Sequence, residues 1–324
     1  MLRAVRTSLF ILLFWAMGTS AQAQRCHDDV LAEAASVLML EGGDPTGTEL
    51  VAAARRAGSD APTVHALAIH DGSDARIASW LTRLEERLRA PIVCGQARGQ
   101  ERILVLAAPQ AGRIETGEEG QLSFVLAAGF SEPTVFFEDA RGTIERFELD
   151  GSRAPIPSHL EPPLRVQLVA RGPDGPRPVA ERTLGEANVA TNPGMESSLE
   201  ERIGALRSRA HASALRPHRL LASLAREHAE RVCRVGHAAH ELEPGRDPRA
   251  RARERGLVAR HIGEVVARGA SVNAAFDALT RSASHRAALS DRRFTDAGAG
   301  IAEDSRGRVC VVVMLAAWPR LVAR

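Results

Sequence analysis

Seven of the eleven histidines lie beyond residue 210, among them His237 and His240, whose spacing sets two imidazoles on adjacent turns if the segment is helical. Imidazole titrates near neutral pH and ligates transition metals, so acid-base or metal chemistry is sought in this last third. The familiar catalytic patterns are excluded residue by residue. His240-Glu241 is followed by Leu242, Glu243 and Pro244, which removes the His-Glu-x-x-His helix of metalloproteases. No Gly-x-Ser-x-Gly elbow occurs, and Ser284 beside His285 would face away from it on a regular element. Gly298-x-Gly300 lacks the third glycine and the strand-before, helix-after setting of a dinucleotide loop. All 42 basic residues are Arg, so Schiff-base chemistry and a phosphate-loop lysine are excluded.

Two further sets of residues carry chemistry. Arg246, Arg249, Arg251, Arg253, Arg255 and Arg260 stand against Asp247 and Glu254. Guanidinium pairs bidentately with phosphate, so this run suits the phosphates of an envelope lipid or polymer; equally, a solvated face in a chain without Lys has to be built from Arg. The four cysteines, Cys26, Cys94, Cys233 and Cys310, allow three pairings.

Export bears on those cysteines. Residues 1–23 read as a signal peptide: Arg3 and Arg6 begin it, Leu9 to Met17 form an apolar run of nine, and Ala21-Gln22-Ala23 offers a small-x-small cleavage site. The apolar run is too short to span a bilayer permanently. Arg25 precedes Cys26, which does not suit a lipid anchor. The expectation is a soluble protein, secreted or periplasmic, whose cysteines form disulfides. Without Arg3 and Arg6 the 42 basic residues balance the 40 acidic ones, and nucleic acid is not an expected partner.

Three units are expected to carry these residues. In 24–108, residues 27–40, 48–56 and 76–89 show helical spacing and 102–108 reads as a buried strand, which makes a small α/β unit. Between 109 and 186, the runs at 122–128, 134–139, 144–149, 164–170 and 177–184 are short strands separated by turn residues such as Gly172-Pro173-Asp174-Gly175, a β-sandwich-like module. A polar linker, 187–196, follows. From 197, Ser197 and Ser198 with Glu200 and Glu201 form a capping box for a helix. A second helix after Pro217 carries Leu220, Leu221, Leu224, Ala225, Ala229 and Val232 on one face. With this division, pairing Cys26 with Cys94 and Cys233 with Cys310 keeps each bridge inside one unit; each loop of about 70 residues contributes roughly 4 kcal/mol.

The last third resembles the bacterial branch of the CAP superfamily (cysteine-rich secretory, antigen 5 and pathogenesis-related proteins, also called SCP-like) over about 196–320. The resemblance rests on Leu221-x3-Ala225-x3-Ala229, then His240, Gly256 sixteen residues on, and Gly263-Glu264-Val265-Val266-Ala267 with its Glu eight further. Ser284-His285-Arg286 and Phe294-Thr295-x2-Gly298-x-Gly300 follow, before the strand Val309 to Leu315. Counting sixteen back from Gly256 selects His240 over His237 as the family's first His. The departures are Val265 for Asn, Ser284 for Gly, Leu279 for Trp, and Ser282 where animal and plant members have a second Glu.

The resemblance implies a 197–320 CAP domain with an α-β-α sandwich fold and an antiparallel sheet. It implies that His240, Glu264 and His285 line one cleft. Two imidazoles and a carboxylate suit Zn²⁺ or another divalent metal, with His240 and His285 as ligands and a fourth position for water. Two functions stay open. One is a non-catalytic exported module that binds a lipid, envelope polymer or protein partner through the His/Glu cleft or the Arg-rich flank. The other is a metal-assisted peptidase or esterase with Glu264 as general base.

Overall fold

The structure, a computed structural model, describes residues 26–70, 72–117, 120–185 and 198–319. The expected signal peptide and the linker 187–196 lie outside the described residues.

The chain begins with α1 (Asp29–Glu41), α2 (Gly47–Arg56), β1 (His65–Ile69), α3 (Asp74–Leu88), β2 (Ile92–Arg98) and β3 (Ile103–Pro109). Each helix starts on a side-chain cap: Asp28, Thr46 with Glu49, and Ser73. The strands form an antiparallel sheet in the order β1-β3-β2. Helices α1 and α2 pack on one face around Leu104 and Leu106, and α3 on the other around Val105 and Ala107. Cys26 is bonded to Cys94 of β2. Strands β1 and β2 were not anticipated. The apolar run of β2 is broken at Gly95, where a Cβ would lie 2.2 Å from the Ala32 nitrogen, so close approach of α1 requires a residue that disguises the strand.

Seven strands follow, two more than the sequence suggests: β4 (Gly112–Thr116), β5 (Gln121–Leu126), β6 (Ser131–Glu138), β7 (Ile144–Glu148), β8 (Arg153–Pro155), β9 (Leu164–Gly172) and β10 (Gly175–Leu184). They form sheets ordered β4-β5-β8 and β10-β9-β6-β7. Ile114, Leu122 and Phe124 of the first share a core with Val135, Phe137, Val166, Leu168 and Val179 of the second. The additions, β4 and β8, are short strands on either side of β5.

The last part comprises α4 (Leu199–Arg209), β11 (Arg216–Pro217), α5 (Arg219–Val235), α6 (Pro248–Glu254), β12 (His261–Gly269), α7 (Val272–Arg281), α8 (Ala283–Ser290), β13 (Asp296–Glu303) and β14 (Val309–Ala317). Ser198 and Glu201 make the expected capping box on α4. The sheet order is β11-β13-β14-β12; it is antiparallel except for the two-residue β11, which pairs parallel with β13. All of β14 is buried. Its odd-numbered residues, Val309 to Ala317, pack with α4 and α7, and Cys310, Val312, Met314 and Ala316 pack with α5 and α6, so helices cover both faces. Cys233 of α5 is bonded to Cys310 of β14.

Two details differ from, or explain, the sequence pattern. Leu220 is exposed, because the buried face of α5 starts at Leu221. A Cβ on Gly298 or Gly300 would lie 2.0 Å from the Ala222 nitrogen or 2.1 Å from the Arg226 nitrogen, so the Gly-x-Gly pair is what lets the α5 backbone rest on β13.

Candidate functional site

Strand β12 forms one edge of the sheet, and Glu264 points from it to the side covered by α5 and α6, as does its neighbour-but-one Val266. Its side chain is wholly buried. Oε1 accepts a hydrogen bond of 2.9 Å from His240 Nδ1, and Oε2 is bound by the Arg251 guanidinium. Arg251, itself 4% exposed, also donates from Nη1 to the carbonyls of His240 and Arg246, each at 2.8 Å. His228 of α5 donates from Nε2 to the Ala239 carbonyl at 2.8 Å, and the same nitrogen lies 3.7 Å from Glu264 Oε1. One carboxylate thus ties α5, α6 and the 239–240 loop to the sheet.

Electrostatics follow from that enclosure. Burial alone would raise the Glu264 pKa, but the His240 hydrogen bond and the Arg251 charge hold it below the usual carboxylate range. Burial lowers the His228 pKa against the pull of Glu264. His285, on α8, is pushed down to about 3 by burial and by the charge of His240.

Of the expected cleft residues, His240 and Glu264 are in direct contact, and the charge of His240 acts on His285. Among the described residues no group of three or more His, Cys, Asp or Glu is arranged to hold a metal ion. The donor set itself points the same way, because a guanidinium on the carboxylate already supplies its positive charge. His237 takes a different partner from His240: its Nε2 lies 3.4 Å from Asp174 Oδ2.

Asp174, in the turn between β9 and β10, brings the middle strands onto this site. Its carbonyl accepts from the amides of His240 and Glu241 at 3.1 and 3.0 Å. Its carboxylate also pairs with Arg89 at 2.9 Å; burial opposes ionisation, but His237 and Arg89 keep its pKa low. Gly175 follows with φ +91°, and a Cβ there would lie 3.1 Å from His240 Cβ. Gln167 Oε1 of β9 accepts from the Ser284 amide at 2.8 Å and the Ser282 hydroxyl at 3.1 Å. Arg171 pairs with Glu241 at 2.6 Å, and Glu138 pairs with Arg286. The segments bearing His240 and His285 are therefore both covered by β6, β9 and the β9–β10 turn.

Arg251, His228, Asp174 and Gln167 were missed from the sequence. Arg251 was hidden inside the Arg run, of which Arg246 and Arg255 are also committed to Glu254 and Glu227. Arg249, Arg253 and Arg260 remain exposed. The one available signal for His228 was its place on the buried stripe of α5, four residues before Val232.

Residues 201–315 match the family model of the cysteine-rich secretory protein family, CAP, and this part of the chain is a CAP domain. Solved structures similar to the chain include an outer surface protein of Borrelia burgdorferi, 22% identical, with 37% of this chain and 90% of that chain covered and a TM-score of 0.35. An extracellular SCP-domain protein of Bacillus anthracis is 15% identical over 63% and 88%, with a TM-score of 0.31. A cysteine-rich secretory protein of Staphylococcus aureus is 10% identical over 64% and 86%, with a TM-score of 0.29. No curated protein matches the chain by sequence. No helix among the described residues is long and apolar enough to cross a membrane.

Proposed function

We propose that this is an exported, non-catalytic CAP-domain protein that binds a component of the cell envelope, built from a signal peptide (1–23), an α/β unit (24–108), a β-sandwich (109–186), a linker (187–196) and an α-β-α CAP unit (197–320). The observation that carries the non-catalytic reading is the state of Glu264. A general base needs a carboxylate oxygen within reach of a water, and both oxygens of Glu264 are buried and engaged, by His240 and by Arg251. Two intramolecular disulfides with no free cysteine support an oxidising, extracytoplasmic location, secreted or periplasmic. Of the three kinds of partner, lipid, envelope polymer or protein, the exposed Arg249, Arg253 and Arg260 favour an anionic one.

The test is a panel of peptide and ester substrates, with and without Zn²⁺, alongside co-sedimentation with phosphatidylglycerol and phosphatidylcholine vesicles. The expected result is no turnover and salt-sensitive retention on the anionic vesicles that an Arg249→Ser/Arg253→Ser/Arg260→Ser variant loses. Turnover that falls at least about 100-fold in Glu264→Gln would overturn the proposal and restore the hydrolase, since general-base contributions run to roughly 10²–10⁴.

A further inference from the structure

The contact between the middle strands and the CAP domain has an unusual composition. The hydrophobic cluster between the β4-β5-β8 and β10-β9-β6-β7 sheets reaches Ala90 of the first unit but no residue of the CAP domain, and the two clusters of the CAP domain end within it. No apolar cluster of the described residues draws on both sides. What crosses the seam is polar: the Asp174 carbonyl on two successive amides, Gln167 on Ser282 and Ser284, Arg171 on Glu241, and Glu138 on Arg286. Contacts of this kind exchange readily for water, so units joined by them are free to separate.

The seam also holds polar groups that the closed contact serves badly. Asp174 Oδ2, both ring nitrogens of His237, His285 Nδ1 and Arg286 Nε are buried without a hydrogen-bond partner. Asp174 Oδ2 and His237 Nε2 face each other at 3.4 Å, a long and poorly made contact. Buried groups left unbonded favour any arrangement that completes them.

The chemistry of the seated segment is specific. A tight Asp-Gly turn presents a carbonyl to the amides of His240 and Glu241 and a carboxylate to His237 of the CAP domain, with Arg89 at the end of α3 in the first unit pairing with the same carboxylate from outside that face. Gly175, at φ +91°, lets the turn approach closely, since a Cβ there would lie 3.1 Å from His240 Cβ. We propose that this face of the CAP domain is a docking site for an acidic peptide turn, occupied in the resting chain by its own Asp174-Gly175, and that a partner protein presenting such a turn displaces the middle strands and takes their place. This goes beyond the envelope-binding reading, because it names a second surface and an occupant for it.

Amide hydrogen exchange tests it directly, since the amides of His240, Glu241 and Ser284 all donate to the middle strands. The perturbation is Glu138→Arg, which reverses the pair with Arg286 from outside the CAP domain. Exchange at those three amides is expected to rise at least tenfold, with β14 unchanged, and Glu138→Arg/Arg286→Glu is expected to restore it. Added to the single variant, a synthetic peptide with the sequence of residues 170–177 should slow His240 and Glu241 again, and its Asp→Asn counterpart should not. If Glu138→Arg also speeds exchange in β9 or in β14, the variant has unfolded, and Asp174→Asn decides by quickening the three amides alone. Unchanged exchange at the three amides, or equal protection by the two peptides, overturns the proposal. Neither readout involves turnover or vesicles, so the two proposals fail separately.

Discussion

Replacing Glu264 by Gln removes one charge from the middle of the CAP domain while leaving its shape almost unchanged. Arg251, 4% exposed, then lacks a counter-charge, although its bonds to the carbonyls of His240 and Arg246 persist. Removing one partner of a buried ion pair costs about 3–5 kcal/mol, and the retained bonds place this case near the lower figure, about 3 kcal/mol. For a unit of about 120 residues the entropy of unfolding is about 0.25 kcal/mol/K, so the midpoint should fall by about 12 °C. Calorimetry at pH 7 measures it. Acid supplies a second readout: the Glu264 pKa is lowered in the folded state, so its contribution is complete above the unfolded value of about 4.3 and is lost as pH falls through the folded one. The gap between wild type and variant should therefore close in acid, where both carry a neutral group at 264. A midpoint within about 2 °C of wild type at pH 7, or a gap that persists undiminished in acid, would refute the view that this ion pair organises the domain.

Two other outcomes are expected. His285 is held down to about 3 against about 6.5 in the unfolded chain, so the unfolded state binds a proton that the folded state refuses, and stability falls as pH drops from about 6.5 toward 3. Urea midpoints of His285→Gln should decline less over that range; identical pH slopes for the two proteins would refute the assignment. Gly300→Ala places its Cβ 2.1 Å from the Arg226 nitrogen, so α5 must lift off β13 at a cost of about 3 kcal/mol or more. A denaturation midpoint close to wild type would show that α5 does not rest on β13 as described.

Much of the CAP domain was legible because its signals are local. Ser198 and Glu201 satisfy helix-terminal amides three residues apart, and Gly298 and Gly300 stand where any side chain would strike a helix backbone. The run from Val309 to Ala317 is apolar throughout because alternate residues face different helical layers, and both are dry. Where the local signal was weak the reading slipped: β2 was lost at Gly95, and Leu220 was assigned to a face that begins one residue later.

The amino-acid order determined which residues the polar centre has available, since His240, Glu264 and His285 sit in motifs whose spacing comes from the turns and strands around them. It could not decide what those residues do. Arg251 looks like any other member of an Arg run until α6 is folded against β12, and then it is the counter-ion of Glu264. Asp174 and Gln167 read as turn and strand residues of another unit, yet they cover the face that carries His240 and His285. The reason is physical: capping, periodicity and glycine clearance act over a few residues and leave a trace in the order of the chain. The charge state and accessibility of a side chain depend on groups brought together from positions as far apart as 174 and 240, and only packing decides which ones meet.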